Sequence, residues 1–231
     1  MKLLIIEDDN NASKFINFAF RAGWPEVQVL SALNGLKGVE LAKSEQPDVI
    51  LLDLGLPDMS GFEVIKHIRK SSSAPIIVTT VTNNEPDIVQ ALELGADEYI
   101  LKPFGQMEII ARVKAFTRRM EHSDKQQSDA VLGPWRFNPE KSQVYDNNYQ
   151  ISLTQTENLI LQHLVANAGN VVTYNSLVES LWGNYYPGSL QAIRVYINRL
   201  RQKIEQDPRF PAIICTKIGI GYYIAKNKQK C

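Results

Sequence analysis

The chain has only two cysteines among its 231 residues, Cys215 and Cys231, too few for a disulfide framework and in keeping with a reducing cytoplasm. The first reads as a small buried hydrophobe and the second as a loose terminal thiol. Long apolar runs are missing as well: the longest are Leu3–Ile6, Val49–Leu52 and Ile76–Val78. A membrane-spanning helix needs about 20 apolar residues, so no membrane segment is expected. The opening MKLLIIEDDN meets three acids after a brief apolar stretch, so no secretory signal is expected there. Nor is there an excess of either charge, with 25 basic against 25 acidic side chains. That neutrality hides an asymmetry. Residues 1–120 hold 13 Lys/Arg against 16 Asp/Glu, whereas residues 121–231 hold 12 against 9. The second half is thus modestly basic, a weak hint of a nucleic-acid partner until the basic groups fall on one element.

With 44% hydrophobic residues the chain can build ordinary cores, and its length favours two domains over one. The stretch Glu121-His122-Ser123-Asp124-Lys125-Gln126-Gln127-Ser128-Asp129-Ala130 has almost no apolar content and reads as a flexible linker. It separates a domain over residues 1–120 from one over 131–226. In the first, strands are predicted at Lys2–Ile6, Val27–Leu30, Asp48–Asp53, Ile76–Thr80 and Tyr99–Leu101. They alternate with amphipathic helices at Asn10–Arg21, Gly35–Ser44, Phe62–Lys70, Asp87–Leu94 and Gln106–Arg119. Continuous apolar strands mark a parallel sheet covered on both faces, hence a doubly wound, five-stranded α/β fold. In the second, short strands at Trp135–Phe137, Gln143–Tyr145 and Ile151–Leu153 precede helices at Thr154–Asn167, Tyr174–Trp182 and Ser189–Glu205. A hairpin of Ile213–Lys217 and Tyr222–Ala225 closes it, suggesting an α+β winged helix-turn-helix.

In a doubly wound sheet ligands bind beyond the carboxyl ends of the strands. Four such ends carry polar groups here: Glu7, Asp8 and Asp9 after the first strand, Asp53 on the third, Thr79 and Thr80 on the fourth, Lys102 after the fifth. Gathered carboxylates repel, and a hard divalent cation such as Mg²⁺ relieves the repulsion through oxygen ligands. Asp53 can then act as nucleophile toward a phosphoryl group, with Lys102 neutralising the transferring oxygens and Thr80 donating a hydrogen bond. In the second half, Ile193, Ile197, Leu200 and Ile204 form a core-facing stripe on one helix. Its other faces carry Arg194, Tyr196, Asn198, Arg199, Arg201 and Lys203, with Arg194, Asn198 and Arg201 on one side at helical spacing. Arg and Asn can read base edges in a major groove that admits one helix.

Residues 1–120 resemble the receiver domains of bacterial two-component response regulators. The likeness is carried by Ile6-Glu7-Asp8-Asp9, Leu51-Leu52-Asp53-Leu54-Gly55-Leu56-Pro57-Asp58, Ser60-Gly61, Gly95-Ala96-Asp97-Glu98-Tyr99 and Lys102-Pro103-Phe104. Residues 131–226 are similar to the effector domains of OmpR/PhoB-type regulators. That match rests on Leu153-Thr154-Gln155-Thr156-Glu157, Leu181-Trp182-Gly183, Val195 through Glu205 and Gly219-Ile220-Gly221-Tyr222. Leu54–Asp58 and Arg201–Pro208 lean toward the potassium-responsive KdpE branch.

The resemblance implies Asp53 as phosphoacceptor, Asp8 with Asp53 as carboxylate ligands of Mg²⁺, Glu7 acting through water, and the Gly55 carbonyl as a backbone ligand. It implies Thr80 and Tyr99 as switch residues and Lys102 as the pocket cation. Arg194, Tyr196, Asn198, Arg199 and Arg201 would face DNA, flanked by Lys203 and, on the wing, Lys217. Trp182 would pack in the core beside the turn before the recognition helix. Where many relatives carry a wing arginine this chain has Ile218. After Thr80 stands the branched Val81, which is expected to narrow access to Asp53.

Activation would pair two copies through a face holding Ile88, Leu92, Asp97, Glu98, Glu108, Ala111 and Arg112, with Asp97–Arg112 as its ion pair. Ile88 stands where a basic partner for Glu108 is usual, which shifts weight onto apolar contact. The implied partners are a sensor histidine kinase, double-stranded promoter DNA, RNA polymerase and a second copy of the chain, with no membrane. The implied role is that of a transcriptional regulator rather than an enzyme. Two other readings are a DNA-binding regulator whose receiver serves only to dimerise, and an Asp-nucleophile phosphatase. Against the latter, Asp53-Leu54-Gly55 lacks a second acid two residues on.

Overall fold

A computed structural model describes residues 1–81, 84–122, 129–183 and 189–225. The chain divides into two compact units, Met1–Thr117 and Arg118–Cys231. Residues 123–128 of the expected linker lie outside the described residues.

The first unit alternates β1 (Lys2–Ile6), α1 (Asn10–Gly23), β2 (Gln28–Ala32), α2 (Gly35–Glu45), β3 (Val49–Asp53), α3 (Gly61–Arg69), β4 (Ile76–Thr80), α4 (Glu85–Leu94), β5 (Glu98–Leu101) and α5 (Gln106–His122). The five strands are parallel in the order β2-β1-β3-β4-β5. Leu3–Ile6 of β1, Val49–Leu52 of β3 and Ile76–Thr80 of β4 are fully buried, as expected for strands covered on both faces. From β1 the chain steps one way to β2 and the other way to β3. The crevice where strand order reverses therefore opens beyond the carboxyl ends of β1 and β3. Glu7 and Asp8 follow β1 directly and Asp53 ends β3, so topology alone brings acids 45 residues apart in sequence to one place.

Local chemistry fixes the loops around that crevice. Asp9 is spent as the N-cap of α1, accepting from the Asn11 N–H at 2.7 Å. Asp58 reaches across to the first turn of α2 and accepts from the N–H groups of Gly35 and Leu36, both at 2.8 Å. Those N–H groups hold its carboxyl below the usual carboxylate range. Ser60 and Glu63 form a capping box on α3. Gly61 follows, because a Cβ there would meet the Leu54 Cα at 2.6 Å and the Asp53 carbonyl oxygen at 2.7 Å.

The second unit opens with a four-stranded antiparallel meander: β6 (Ala130–Leu132), β7 (Trp135–Asn138), β8 (Gln143–Tyr145) and β9 (Gln150–Ser152). Three helices follow, α6 (Gln155–Ala166), α7 (Tyr174–Trp182) and α8 (Ser189–Ile204). The short β10 (Val172–Thr173) pairs with β12 (Gly221–Ile224), which pairs antiparallel with β11 (Ile214–Lys217). Two strands escape the sequence pattern: β6 has three residues and β10 two, too few for alternation to register. Cys215 is fully buried, as expected, but it is disulfide-bonded and not a free thiol; Cys231 lies outside the described residues.

Candidate phosphoacceptor pocket and DNA-binding face

Glu7, Asp8 and Asp53 each place a carboxylate oxygen within 4.8 Å of the others. Glu7 is buried, Asp53 half-buried and Asp8 exposed, so the cluster runs from the interior to the surface. The Lys102 ammonium donates to Glu7 Oε2 at 2.7 Å and to Asp53 Oδ2 at 2.5 Å. The Gly55 N–H donates to Asp53 Oδ1 at 3.0 Å. Burial pushes the Glu7 carboxyl up to about 7, the nearby Asp53 charge adds to the rise, and Lys102 opposes it. Burial acts in the same upward direction on Asp53, but hydrogen bonds from Lys102 and Gly55 outweigh it, and the carboxyl lies below its ordinary value. Lys102 is pulled the other way by burial, yet its two carboxylate partners hold it above the usual lysine value. Asp53 is thus kept ionised at the mouth while Glu7 behind it is the reluctant charge. A single ammonium leaves three carboxylates undercompensated, and the donor set is all oxygen, which fits a hard divalent cation.

Thr80 is buried at the end of β4, and in register with Asp53 across the strand pair lies Thr79. Tyr99 is also buried on β5, and that burial raises its hydroxyl pKa. Val81, expected to narrow access to Asp53, is 80% exposed.

The expected pairing face needs three corrections. Asp97 has no exposed surface at all: it accepts from Arg69 Nη2 at 2.7 Å and from the Ile76 N–H at 3.0 Å. The same guanidinium donates to the carbonyls of Gly95, Ser72 and Ala74, so Asp97 belongs to a lock between α3 and β5 and not to Arg112. Leu92 is core, on the inner face of α4. Glu98 is buried and held by Arg112 Nη1 at 3.0 Å, while Arg112 Nη2 lies 3.3 Å from Glu108. What stays accessible is Ile88, Ala111, Glu108 and the edge of Arg112.

On α8 the buried arc is wider than the predicted stripe. Tyr196 is completely buried and lies 6.4 Å, ring centre to ring centre, from Trp182, so it does not face DNA. Arg199 is buried and pairs with Glu157 Oε1 at 2.9 Å, its guanidinium lying over the Tyr196 ring. Lys203 pairs with Glu157 Oε2 at 2.7 Å and donates to the Ser152 carbonyl. Glu157, wholly buried, also accepts from the Thr154 N–H at 2.7 Å, so its capping box doubles as the anchor of α8. Arg201 turns to the wing, donating to the Ile214 carbonyl at 2.6 and 3.0 Å and to Thr216 Oγ1 at 2.7 Å. Of the residues expected on DNA, Arg194 and Asn198 on α8 and Lys217 on the wing are exposed. Gln202, one turn beyond Asn198, shares that open side and escaped the sequence reading because it carries no charge.

An acidic crevice at the switch point of a parallel sheet, followed by a winged helix-turn-helix, defines a receiver joined to a DNA-binding effector. Comparison with known proteins agrees. The family "Response regulator receiver domain" matches residues 3–114, and "Transcriptional regulatory protein, C terminal" matches residues 148–224. The sensory transduction protein RegX3 of Mycobacterium tuberculosis is 38% identical over 222 residues, covering 95% of this chain and 97% of its own. RegX3 of Mycobacterium leprae is 44% identical over 177 residues, covering 76% and 89%. Among solved structures, the Thermotoga maritima response regulator DrrB, described as an OmpR/PhoB homologue, covers 97% of this chain and 99% of its own at 29% identity and a TM-score of 0.50. A RitR variant aligns over 100% of this chain and 99% of its own with a TM-score of 0.80 at 23% identity, a likeness of fold alone. The chain belongs to the OmpR/PhoB family of response regulators. It is a two-component transcriptional regulator controlled by phosphorylation. No helix among the described residues is long and apolar enough to cross a membrane.

Proposed function

We propose that a sensor histidine kinase phosphorylates Asp53 and that the phosphorylated chain pairs with a second copy to bind promoter DNA and engage RNA polymerase. The observation that carries this reading is the cluster of three carboxylates within 4.8 Å, bridged by one lysine across Glu7 and Asp53. Mg²⁺ would be held by Asp8 and Asp53, with the Gly55 carbonyl and with Glu7 through water; it supplies charge neutralisation for the phosphoryl oxygens. Asp53, ionised by its hydrogen bonds, offers a carboxylate oxygen that forms the new O–P bond as the kinase's phosphohistidine N–P bond breaks. Lys102 then trades part of its hold on Asp53 for a phosphoryl oxygen, and the Thr80 hydroxyl donates to another. Tyr99, on the strand next to Thr80 and in register with Val78, carries the change toward α4 and α5. The pairing face is then Ile88, Glu108, Ala111 and Arg112, with Arg112 free to exchange its intrachain partner Glu108 for a second copy's acid. Residues 1–120 act as the receiver, 121–130 as the linker and 131–226 as the effector, in a cytoplasmic protein. Arg194, Asn198 and Lys217 contact DNA.

Incubation with acetyl phosphate and Mg²⁺, followed by intact-mass measurement, tests this. One phosphoryl group is expected on the wild type and none on Asp53→Asn. Retention of the added mass in the variant would move the site elsewhere. Equal DNA affinity with and without the donor would reduce the receiver to a dimerisation module.

A further inference from the structure

Between β3, which ends at Asp53, and α3, which begins at Gly61, the chain has no regular structure. Both ends of this loop are pinned locally. The Gly61 N–H donates to the Leu54 carbonyl at 2.9 Å, and the Ser60–Glu63 capping box fixes the entry to α3. The middle is tied to a different element. Asp58 accepts from the Gly35 N–H, 23 residues away in sequence, through Oδ1 and from the Leu36 N–H through Oδ2, both at 2.8 Å. A carboxylate set on two N–H groups in the first turn of a helix gains from the helix dipole as well as from the bonds. Met59 closes the same contact: a Cβ on Gly35 would stand 2.5 Å from Met59 Cγ, so the glycine is what lets loop and helix approach.

Helix α2 has its own cap beside this one. Asn34 accepts from the Lys37 N–H at 2.9 Å through its side chain and from the Gly38 N–H at 3.1 Å through its carbonyl. With Asp58 on Gly35 and Leu36, the first four N–H groups of α2 are all taken. What Asp58 adds beyond a cap is a fixed separation between α2 and the loop. The loop carries Gly55, whose N–H donates to Asp53 Oδ1 at 3.0 Å while Lys102 donates to Oδ2. The Gly55 backbone therefore sets the rotation of the Asp53 carboxylate. Its carbonyl is the backbone group assigned above to the cation, so a shift of Gly55 disturbs ligand and phosphoacceptor together.

We propose that Asp58 is a positioning residue for the phosphoacceptor pocket: by tying the middle of the β3–α3 loop to the first turn of α2, it holds the Gly55 carbonyl ready for Mg²⁺ and the Gly55 N–H on Asp53. The inference rests on the reading of that pocket as a Mg²⁺ and phosphoryl site. Asp58 touches neither the cation nor the phosphoryl group and acts only through Gly55. Without this strut the loop is ordered only as the cation binds, and the cost of ordering it is subtracted from the affinity.

The test uses the full chain and reads, for each variant, the Mg²⁺ dissociation constant by titration calorimetry, the rate of mass gain with acetyl phosphate, and the receiver's urea midpoint. Asp58→Ala is expected to weaken Mg²⁺ binding about tenfold, the usual effect of losing a group that orients a metal ligand, and to slow phosphoryl uptake when Mg²⁺ is below saturation. Asp58→Asn keeps one neutral acceptor and should fall between Asp58→Ala and the wild type. Asn34→Ala is the control, since it removes the other side-chain bond to the first turn of α2 and leaves the loop tied. It is expected to lower the urea midpoint and to keep the wild-type Mg²⁺ affinity. Should Asp58→Ala fail to fold, Asp58→Asn set against Asn34→Ala decides by the same comparison. Wild-type Mg²⁺ affinity in both Asp58 variants, or an equal loss in Asn34→Ala, would overturn the strut while phosphoryl uptake by the wild type leaves the pocket's role intact. A wild type that binds no Mg²⁺ and gains no phosphoryl mass would overturn the reading of the pocket, and the strut with it.

Discussion

Each unit of this protein builds a cluster of buried and half-buried charges around a carboxylate, the receiver at Asp53 and the effector at Glu157, and these two clusters are opposites. In the receiver, three carboxylates share one lysine and open to solvent at Asp8. In the effector, one fully buried carboxylate, Glu157, is gripped by Arg199, Lys203 and a backbone N–H. The receiver cluster is short of positive charge and takes up more only from outside, as a divalent cation. The effector cluster has its counter-charges built in, and its business is to fix α8 against α6. An undersupplied cluster at a strand-end crevice is a site, whereas a satisfied one inside a helical core is a fastener.

Breaking the fastener should have the largest effect. Glu157→Gln leaves the buried Arg199 and the half-buried Lys203 without their counter-charge, and loss of one partner of a buried pair typically costs about 3–5 kcal/mol. The effector's unfolding transition in urea should shift accordingly while the receiver's does not, and Mg²⁺ should give no rescue. An unshifted effector transition would show that Arg199 and Lys203 find solvent or other acceptors at little cost.

The opposite behaviour is expected in the receiver. Lys102→Met leaves three carboxylates facing one another and should destabilise that unit by about 1–3 kcal/mol in the presence of EDTA. Millimolar Mg²⁺ should restore most of the loss, because an oxygen-only donor set binds a hard cation more tightly once its resident ammonium is gone. Thermal melts of Lys102→Met with and without Mg²⁺ read this directly. A metal-independent loss would make Lys102 a fastener like Arg199.

These contrasts also separate what the sequence discloses from what it conceals. The receiver pocket was legible because each contributing residue sits at a strand end, and a parallel sheet brings strand ends together by topology alone. Asp97 was misread because its partner, Arg69, lies on another element 28 residues upstream, and nothing in the local pattern marks it. On α8 the stripe Ile193, Ile197, Leu200 and Ile204 was correct but too narrow. The helix packs against both α6 and α7, and the wing grips it through Arg201, so the buried arc widens to take in Tyr196 and Arg199. A signal was present in Glu157: at the third position of a capping box entering a buried helix, its second carboxylate oxygen needs a cation. Finding which cation required the fold.

That correction sharpens the division of labour on α8. Arg194→Ala removes an exposed cation and should weaken DNA binding by about 1–3 kcal/mol if it reads a base edge, with the effector's stability unchanged. Arg199→Ala should do the reverse first, destabilising the effector before any effect on DNA is seen. Urea melts and anisotropy titrations of both variants, run side by side, distinguish a reader from a fastener. Equal losses of affinity at unchanged stability would return Arg199 to the DNA-binding face.

The smallest expected effect concerns His163, on α6, whose Nε2 lies 3.0 Å from the Ser176 hydroxyl of α7. Burial lowers its pKa below the ordinary histidine value. The unfolded chain therefore takes up the proton first as pH falls, and the folded effector resists it. The stability linked to His163 is fully present above the unfolded pKa, near 6.5, and drains away as pH drops from there through the lower folded value. His163→Asn, which keeps a hydrogen-bonding side chain but cannot titrate, should flatten the pH dependence of the effector's urea midpoint across that interval and leave it unchanged above pH 7. The receiver's midpoint, measured in the same samples, serves as the internal reference. An unaltered slope in the variant would assign the acid sensitivity of the effector to its carboxylates instead.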